Sequence, residues 1–301
     1  MPSVQDDQQL ICQKATLRTS AVENPAEISA AACKGDLEEV KKQVQRLLHD
    51  PRPPEPQPPQ PKWLAQSLLI AMQKPNIEMV QFLLDENVAD PHSVAEAAVR
   101  GRGWEVLELF LQYGWDINRP QGRNEPPLLS IPLCTADREM VEWLLNHGAD
   151  PNARCAWDFT PMSLAMYLAP LDLIDYVFSR GGDAHYGQLL HCAVLREKPD
   201  ALDVVRRVIQ RGAPINEVKY EKEPMVYWER EPFGLGTALH RAAEFGNKNI
   251  VKYLLEQGAD PLKLDSKGKT PRFWAEKCND ADVASILKEA EDNQSSARLR
   301  L

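Results

Sequence analysis

The sequence of 301 residues contains no apolar run long enough to cross a bilayer as a helix, which takes about 18 consecutive apolar residues. Its first residues lack the basic start and the apolar core of a secretory signal. The six cysteines are scattered and form no C-x-x-C pair, a pattern typical of reduced thiols and not of a disulfide framework. We therefore expect a soluble chain in the cytoplasm, the nucleus or both.

Motifs of enzymes and metal sites are also missing. No G-x-S-x-G, H-E-x-x-H or Walker sequence occurs, and the six histidines show no ligand spacing. Gly101-Arg102-Gly103 has the spacing of part of a dinucleotide loop. It follows the helix-like Ala97-Ala98 and not a strand, so it predicts a turn between helices. We expect no enzymatic activity, no cofactor, no metal and no small-molecule substrate.

Basic residues are fewer than acidic ones, which gives a formal net charge of −9 at pH 7. This charge repels phosphate backbones and disfavours direct binding of nucleic acid. Apolar residues make up 43% of the chain, which is typical of a folded globular protein. Their arrangement along the sequence follows a repeated unit.

The repeated unit is clearest in residues 237–260. Thr237 can cap a first short helix, and Gly246 then turns the chain. Gly258 ends a second helix in the left-handed conformation that glycine adopts most readily. The second helix carries an apolar stripe at helical spacing, formed by Ile250, Val251, Leu254 and Leu255. Neither helix can bury its apolar face alone, so the unit requires copies of itself.

The end of the unit recurs along the chain as two large apolar residues followed three positions later by Gly or Asn. The copies lie at Leu83-Leu84 to Asn87, Phe110-Leu111 to Gly114, Leu144-Leu145 to Gly148, Val177-Phe178 to Gly181, Val208-Ile209 to Gly212 and Leu254-Leu255 to Gly258. Three of the five intervals between these terminators are 31 to 34 residues long. The two departures from this period can be placed in loops.

The segment Thr237-Ala238-Leu239-His240 resembles the T-P-L-H signature of the ankyrin repeat, which recurs about every 33 residues. The resemblance implies an all-α ankyrin-repeat solenoid of about eight helix-turn-helix units, several of them degenerate, over residues 26–292. It also implies that His191 and His240, at the histidine position of the signature, form local hydrogen bonds that hold the turn.

Three segments are assigned differently from the repeats. Residues 1–25 are expected to be a loose N-terminal arm, and residues 293–301 a flexible tail. Seven of the eleven residues in the segment 51–61 are proline, which predicts an extended polyproline II linker. We favour a stiff spacer between repeats for this linker, and the alternative is a docking peptide for an SH3-like or WW-like domain.

An inserted loop, residues 217–236, lies in the connection that breaks the period most strongly, and this loop is rich in aromatic residues. Tyr and Trp are enriched at binding hot spots, and a further aromatic pair lies in the connection that ends at Thr160. The candidate partner-binding residues are Trp157, Phe159, Tyr220, Met225, Tyr227, Trp228 and Phe233. Two interpretations stay open: these residues bind a partner, or the loop folds back and covers the stack.

The resemblance implies a non-enzymatic protein–protein interaction module that binds its partner through inter-repeat loops. The expected role is that of an adaptor or transcriptional co-regulator, similar to the ankyrin co-regulators found near specialised-metabolite biosynthesis genes in filamentous fungi. A structural scaffold, or an accessory or inhibitory subunit of an enzyme complex, is the alternative. In each case we expect a protein partner, and neither a membrane nor nucleic acid.

Overall fold

The computed structural model describes residues 26–49, 64–73 and 76–298. The expected arm 1–25, the proline-rich linker 51–61 and the last three residues lie outside this part. Contacts divide the chain between Ile117 and Asn118 into two compact units, which are described in turn. Of the described helices, none is both long and apolar enough to span a bilayer.

In its described part, the first unit consists of three helical pairs. Its helices are α1 (Ala26–Lys34), α2 (Leu37–Leu48), α3 (Ala65–Gln73), α4 (Ile77–Asp85), α5 (Ala95–Arg100) and α6 (Trp104–Gln112). A short 3-10 helix, Pro91–Ser93, precedes α5. The segment 101–103 forms the turn between α5 and α6, as predicted.

The second unit contains five helical pairs and one helix between pairs, counted over its described residues. Its helices are α7 (Ser130–Thr135), α8 (Arg138–Asn146), α9 (Pro161–Leu168), α10 (Leu171–Ser179), α11 (Leu189–Ala193), α12 (Ala201–Gln210), α13 (Pro224–Arg230), α14 (Ala238–Glu244), α15 (Lys248–Glu256), α16 (Pro271–Lys277) and α17 (Ala281–Arg298). Helix α13 stands between the pairs α11–α12 and α14–α15. No strand occurs in residues 26–298 outside the undescribed gaps, so the predicted all-α class is confirmed.

Local sequence sets the ends of the second helix in each pair. Asp36, Asn76 and Asp137 each accept the backbone N–H three residues on, at 3.0, 3.0 and 3.2 Å, and so cap a helix start. The six terminators found in the sequence have φ between 53° and 103°, the left-handed region that ends a helix. Between cap and terminator, the apolar stripe is buried against the neighbouring pair.

Helix α17 continues to Arg298 and so includes most of the segment 293–301, which the sequence analysis assigns to a flexible tail. The last turns of this helix contact the stack. The carboxylate of Glu291 lies 3.0 Å from the guanidinium of Arg272. Beyond it, the side-chain amide of Gln294 donates to Asp260 at 2.9 Å. These contacts extend the last repeat past the predicted boundary.

The inserted segment, residues 217–236, is not a loop throughout. It contains α13 and a 3-10 helix, Glu231–Phe233. Pro224 stands at the first position of α13, where its missing N–H leaves no hydrogen bond unmade. Proline at this position is the one local signal for the helix, because seven residues are too few to show a clear period.

Candidate protein-binding surface

The start of three of the connections between helical pairs is held by an asparagine four residues after the helix-ending glycine. Asn118, Asn152 and Asn216 each donate a side-chain amide to the carbonyl of a helix-ending glycine in the next pair, at 2.8–3.1 Å. Each amide oxygen accepts the N–H of an aspartate two residues beyond that glycine, at 2.7–2.8 Å; the glycines and aspartates are Gly148 and Asp150, Gly181 and Asp183, and Gly258 and Asp260. One side chain therefore joins two successive connections.

The ends of three connections are held by a side chain at the fourth position of the repeat signature. Ser163 Oγ donates to the carbonyl of Gly187 at 2.5 Å, His191 Nε2 to that of Gly236 at 3.2 Å, and His240 Nε2 to that of Lys269 at 3.1 Å. Each acceptor lies two residues before the first helix of the following pair. The three bonds therefore fix the point at which the chain re-enters the stack.

The two histidines act as neutral donors. Burial lowers the pKa of His191 to about 3 and also lowers the pKa of His240, so neither ring is protonated twice near neutral pH. His240 Nδ1 accepts the backbone N–H of Thr237 at 3.0 Å, which is the local bond that the family resemblance implies. The histidines also reach the following pair, a contact that the sequence pattern does not reveal.

The base of the inserted segment is anchored by two buried aromatic rings. Phe159 and Tyr220 pack edge to face with ring centroids 6.3 Å apart, and they are 6% and 2% exposed. The backbone N–H of Tyr220 donates to Gln188 at 3.3 Å, and the Gln188 side chain donates to Asp158 at 2.7 Å. These two candidate residues are therefore unavailable to a partner, and the covering interpretation applies to them.

Helix α13 is fixed by ion pairs to two other connections. Glu229 lies 2.6 Å from Arg123, which precedes α7, and Glu223 lies 2.8 Å from Arg154, which precedes α9. Val226, between these two glutamates in the sequence, is buried. One face of the short helix thus points to the stack, and the helix has contacts at both of its ends.

Trp157 lies beneath helix α13 and not at the exposed tip of its own connection. The guanidinium of Arg230 is 4.7 Å from the centre of the Trp157 ring and 5.1 Å from that of Phe233. The backbone N–H of Trp157 donates to the carbonyl of Arg123 at 3.1 Å. Its indole Nε1 is buried and has no hydrogen-bond partner among the described residues. The structure therefore brings the two aromatic connections together, with Trp157 half-buried between them.

The outer face of the inserted segment carries large apolar side chains in water. Met225 and Trp228 are each 80% exposed, and Phe233 is 58% exposed. Met225 and Trp228 are three residues apart on α13 and so share one face of the helix. Tyr227 is half-buried, and burial followed by the charge of Glu231 raises its pKa. We call Met225, Trp228 and Phe233 the α13 surface.

Sequence reasoning missed the residues that position this surface. Arg123, Arg154 and Gln188 lie in three separate connections, and nothing near them in the sequence marks them as contacts of the insertion. The excess of glutamate in residues 217–236 was the available signal, since each carboxylate can pair with an arginine or lysine of another connection.

Comparison with known proteins identifies the repeats. The family model described as ankyrin repeats (3 copies) matches residues 190–296, and the model described as ankyrin repeat matches residues 131–156. Together with the helical pairs, these matches identify the chain as an ankyrin-repeat protein. The fold is that of a protein–protein interaction module.

Relatives with similar sequences carry unrelated names. The human transient receptor potential cation channel subfamily A member 1 is 22% identical over 72% of this chain and 23% of its own length. The L-asparaginase of Dirofilaria immitis is 29% identical over 61% of this chain and 29% of its own. An ankyrin repeat protein of Fowlpox virus is 27% identical over 49% of this chain and 90% of its own. The chain thus spans less than a third of the first two, and the names share no activity.

The described residues also bear on metal binding. Within residues 26–49, 64–73 and 76–298, no group of three or more His, Cys, Asp or Glu side chains is placed to hold a metal ion. The buried thiol of Cys192 beside His191 has a pKa raised to about 11 by burial, so it is protonated at neutral pH. A protonated thiol is a poor nucleophile.

Proposed function

We propose that this chain is a non-enzymatic adaptor that binds a protein partner stoichiometrically through the α13 surface. The observation that carries this proposal is the exposure of Met225 and Trp228, each 80%, on one face of a helix inserted between repeats. Isolated apolar side chains are common on protein surfaces, but grouped large ones mark interaction sites. Trp is among the residue types most enriched at binding hot spots.

The anchoring of α13 supports binding over a purely covering role. A segment that only covers the stack would turn its largest apolar side chains inward. Here the inward side chains are Val226, Phe159 and Tyr220, whereas the larger Trp228 points to water. The ion pairs of Glu223 and Glu229 hold the helix in place before a partner arrives. A preordered surface loses less conformational entropy on binding.

The side chains also suit a protein surface as the ligand. Trp228 offers a large rigid apolar area with an indole N–H at its edge. Met225 is flexible and polarisable, so it can adapt to an irregular partner surface. Glutamates flank both residues, which keeps the exposed helix soluble when no partner is bound.

Site-specific photo-crosslinking tests the proposal directly. A benzophenone amino acid is placed at position 228 and, as the matched control, at Leu264, another exposed apolar residue at a connection. We expect one protein to be captured at position 228 and not at 264. The captured partner is then purified and titrated with the Met225→Ala/Trp228→Ala double variant.

We expect the double variant to lose about 2–4 kcal/mol of binding free energy, which is roughly a 30- to 1000-fold rise in Kd. A Phe245→Ala/Leu264→Ala variant removes exposed apolar side chains elsewhere and should bind as the unchanged chain does. Equal Kd values for the two double variants would show that the α13 surface is not the binding site.

Transcriptional co-regulation and a link to specialised-metabolite biosynthesis are narrower versions of the same proposal. In a co-regulator, the α13 surface would be occupied by a transcription factor, whereas in a general adaptor it would be occupied by another class of protein. The identity of the cross-linked partner decides between them. An inhibitory subunit would instead be captured together with an enzyme whose activity falls on binding.

A further inference from the structure

A second surface with a different chemistry lies on the last repeat. Lys269 Nζ is 4.8 Å from the ring centre of Phe273, and Lys277 Nζ is 4.4 Å from that of Trp274. The two rings meet edge to face at 5.7 Å. Lys267 lies beside these rings. The position that a Cβ on Gly234 would take is 3.4 Å from the Trp274 ring and 3.7 Å from Cγ of Lys267. We call these five residues the lysine–aromatic patch.

The three lysines form no ion pair in the described part of the chain. None of their ammonium groups has a carboxylate within ion-pair distance among the described residues. One carboxylate, that of Asp265, is buried beneath the patch; it accepts the indole N–H of Trp274 and the backbone N–H groups of Lys267 and Lys269, each at 2.8 Å. Three exposed lysines around one buried carboxylate leave this small surface with an excess of positive charge, which is unusual on a chain of net charge −9.

The aromatic rings add a second requirement on the ligand. An exposed lysine over an aromatic face gains little from the cation–π contact, so the lysines can move to a better partner. Phe273 is exposed and Trp274 is half-buried, so apolar area becomes accessible when the lysines turn away. A ligand that presents carboxylates next to apolar side chains would satisfy both groups.

We infer that the lysine–aromatic patch binds an acidic segment of a protein partner, in which carboxylates alternate with apolar residues. This inference goes beyond the α13 surface and would hold whether or not that surface binds. A nucleic acid is the less favoured ligand. It presents continuous phosphate charge, which the net −9 of the protein repels, and three lysines give few phosphate contacts.

Fluorescence anisotropy with a defined probe tests the inference on the full chain. The probe is a short fluorescein-labelled peptide of glutamates with one Phe and one Leu. The Lys267→Gln/Lys269→Gln/Lys277→Gln variant removes the patch charge, and all three side chains are exposed, so folding is preserved. We expect the affinity for the probe to fall about tenfold or more.

A matched variant, Lys34→Gln/Lys252→Gln/Lys288→Gln, removes the same charge from three exposed lysines elsewhere. It should leave the affinity within about twofold of the unchanged chain. Phe273→Ala should weaken binding of the probe and leave binding of an all-glutamate peptide unchanged. Equal losses in the two lysine variants, or no loss in either, would overturn the inference.

Binding of a labelled oligothymidylate distinguishes an acidic protein ligand from a nucleic acid. Weaker binding of this oligonucleotide than of the acidic peptide supports a protein ligand. Binding as tight as that of the peptide, lost in the patch variant, would instead make the patch a general polyanion surface and overturn the assignment. The Met225→Ala/Trp228→Ala variant serves as a further control, and we expect it to bind the acidic peptide as the unchanged chain does. The peptide measurements therefore test the lysine–aromatic patch separately from the proposed function.

Discussion

The connections 212–237 and 258–270 enter successive helical pairs, and the first is about twice as long as the second. Both follow a helix that ends on a left-handed glycine, and both lead to a threonine that precedes the next helix. Both also end in the same bond, from a buried histidine to the residue before that threonine. Their difference lies wholly between these fixed ends.

The short connection contacts the end of the long one, since Ser266 Oγ accepts the N–H of Leu235 at 2.8 Å, whereas the long connection carries a helix across two earlier connections. The insertion contacts Arg123 and Arg154 in those connections. These contacts do not alter the end of the connection, because the bond of His191 to Gly236 has the same form as that of His240 to Lys269. The comparison indicates that the repeat stack keeps the same closing bonds whether or not a helix is inserted, and that the α13 surface is added on the outside.

The largest effect should come from the histidines that close the two connections. His191→Ala and His240→Ala should each reduce the free energy of unfolding by about 3–4 kcal/mol, because each leaves a buried carbonyl unpaired and a cavity behind. Urea denaturation measures both values. A loss for His240→Ala with none for His191→Ala would show that the long connection is not closed in the same way.

A smaller effect is expected where the two connections differ. A Cβ on Gly236 would lie 2.6 Å from Cγ of His240, whereas the equivalent position of the short connection holds Lys269. Gly236→Ala should therefore cost about 2–3 kcal/mol of stability.

Gly258→Ala is the matched control for this substitution. A Cβ there would meet no neighbour within 4 Å, although φ is +91°. The expected cost is about 1 kcal/mol, from backbone conformation alone. Equal melting temperatures for the two alanine variants would contradict the close approach of the long connection at Gly236.

Low pH should reduce the stability that His191 contributes at the end of the long connection. The pKa of His191 is about 3 in the folded chain against 6.5 unfolded, so the unfolded state binds the proton first. This part of the stability is complete above pH 6.5 and falls by about 1.4 kcal/mol for each pH unit below it, until pH approaches 3.

The His191→Gln variant can still donate to the carbonyl of Gly236 but does not titrate. We expect it to lose less stability than the unchanged chain between pH 6.5 and 5.5, as measured by urea midpoints. His240, whose pKa is also lowered, accounts for the dependence that remains. Parallel pH profiles for the two proteins would mean that His191 is not buried in the neutral form.

The smallest effect on stability is expected at the exposed surface. Trp228→Ala should change the free energy of unfolding by less than about 0.5 kcal/mol, because the side chain is almost fully in water. Phe159→Ala, at the buried base of the same insertion, should cost about 3 kcal/mol or more. Thermal melts of the pair test whether α13 binds or covers, since a large loss for Trp228→Ala would favour a cover.

Much of the fold was predictable because its signals are local. A terminator such as Gly258 needs left-handed backbone, and a cap such as Asp137 needs a short polar side chain, so both recur at the period of the repeat. The burial of Phe159 and Tyr220, two of the candidate partner-binding residues, was not predictable for the opposite reason. Their contact joins positions in different connections, and neither sequence neighbourhood shows that the other ring is near.

The candidate site was predictable in composition and not in orientation. The sequence shows that residues 217–236 hold aromatic side chains, and the structure leaves Trp228 in water but buries Tyr220. The orientation is set by Arg123 and Arg154, whose ion pairs with α13 depend on the stacking of whole repeats. A long-range contact of this kind leaves no period in the sequence.

The asparagine bridge of Asn216 has a consequence for protein engineering. Asn216 fixes the chain just before the insertion, and His191 fixes it again at Gly236, so the two attachment points belong to the stack. Lengthening a segment between fixed ends adds little closure entropy, about 0.6 kcal/mol for each doubling. The segment between these points is therefore a graft site, where another recognition peptide could replace α13 while the repeats beneath keep their register.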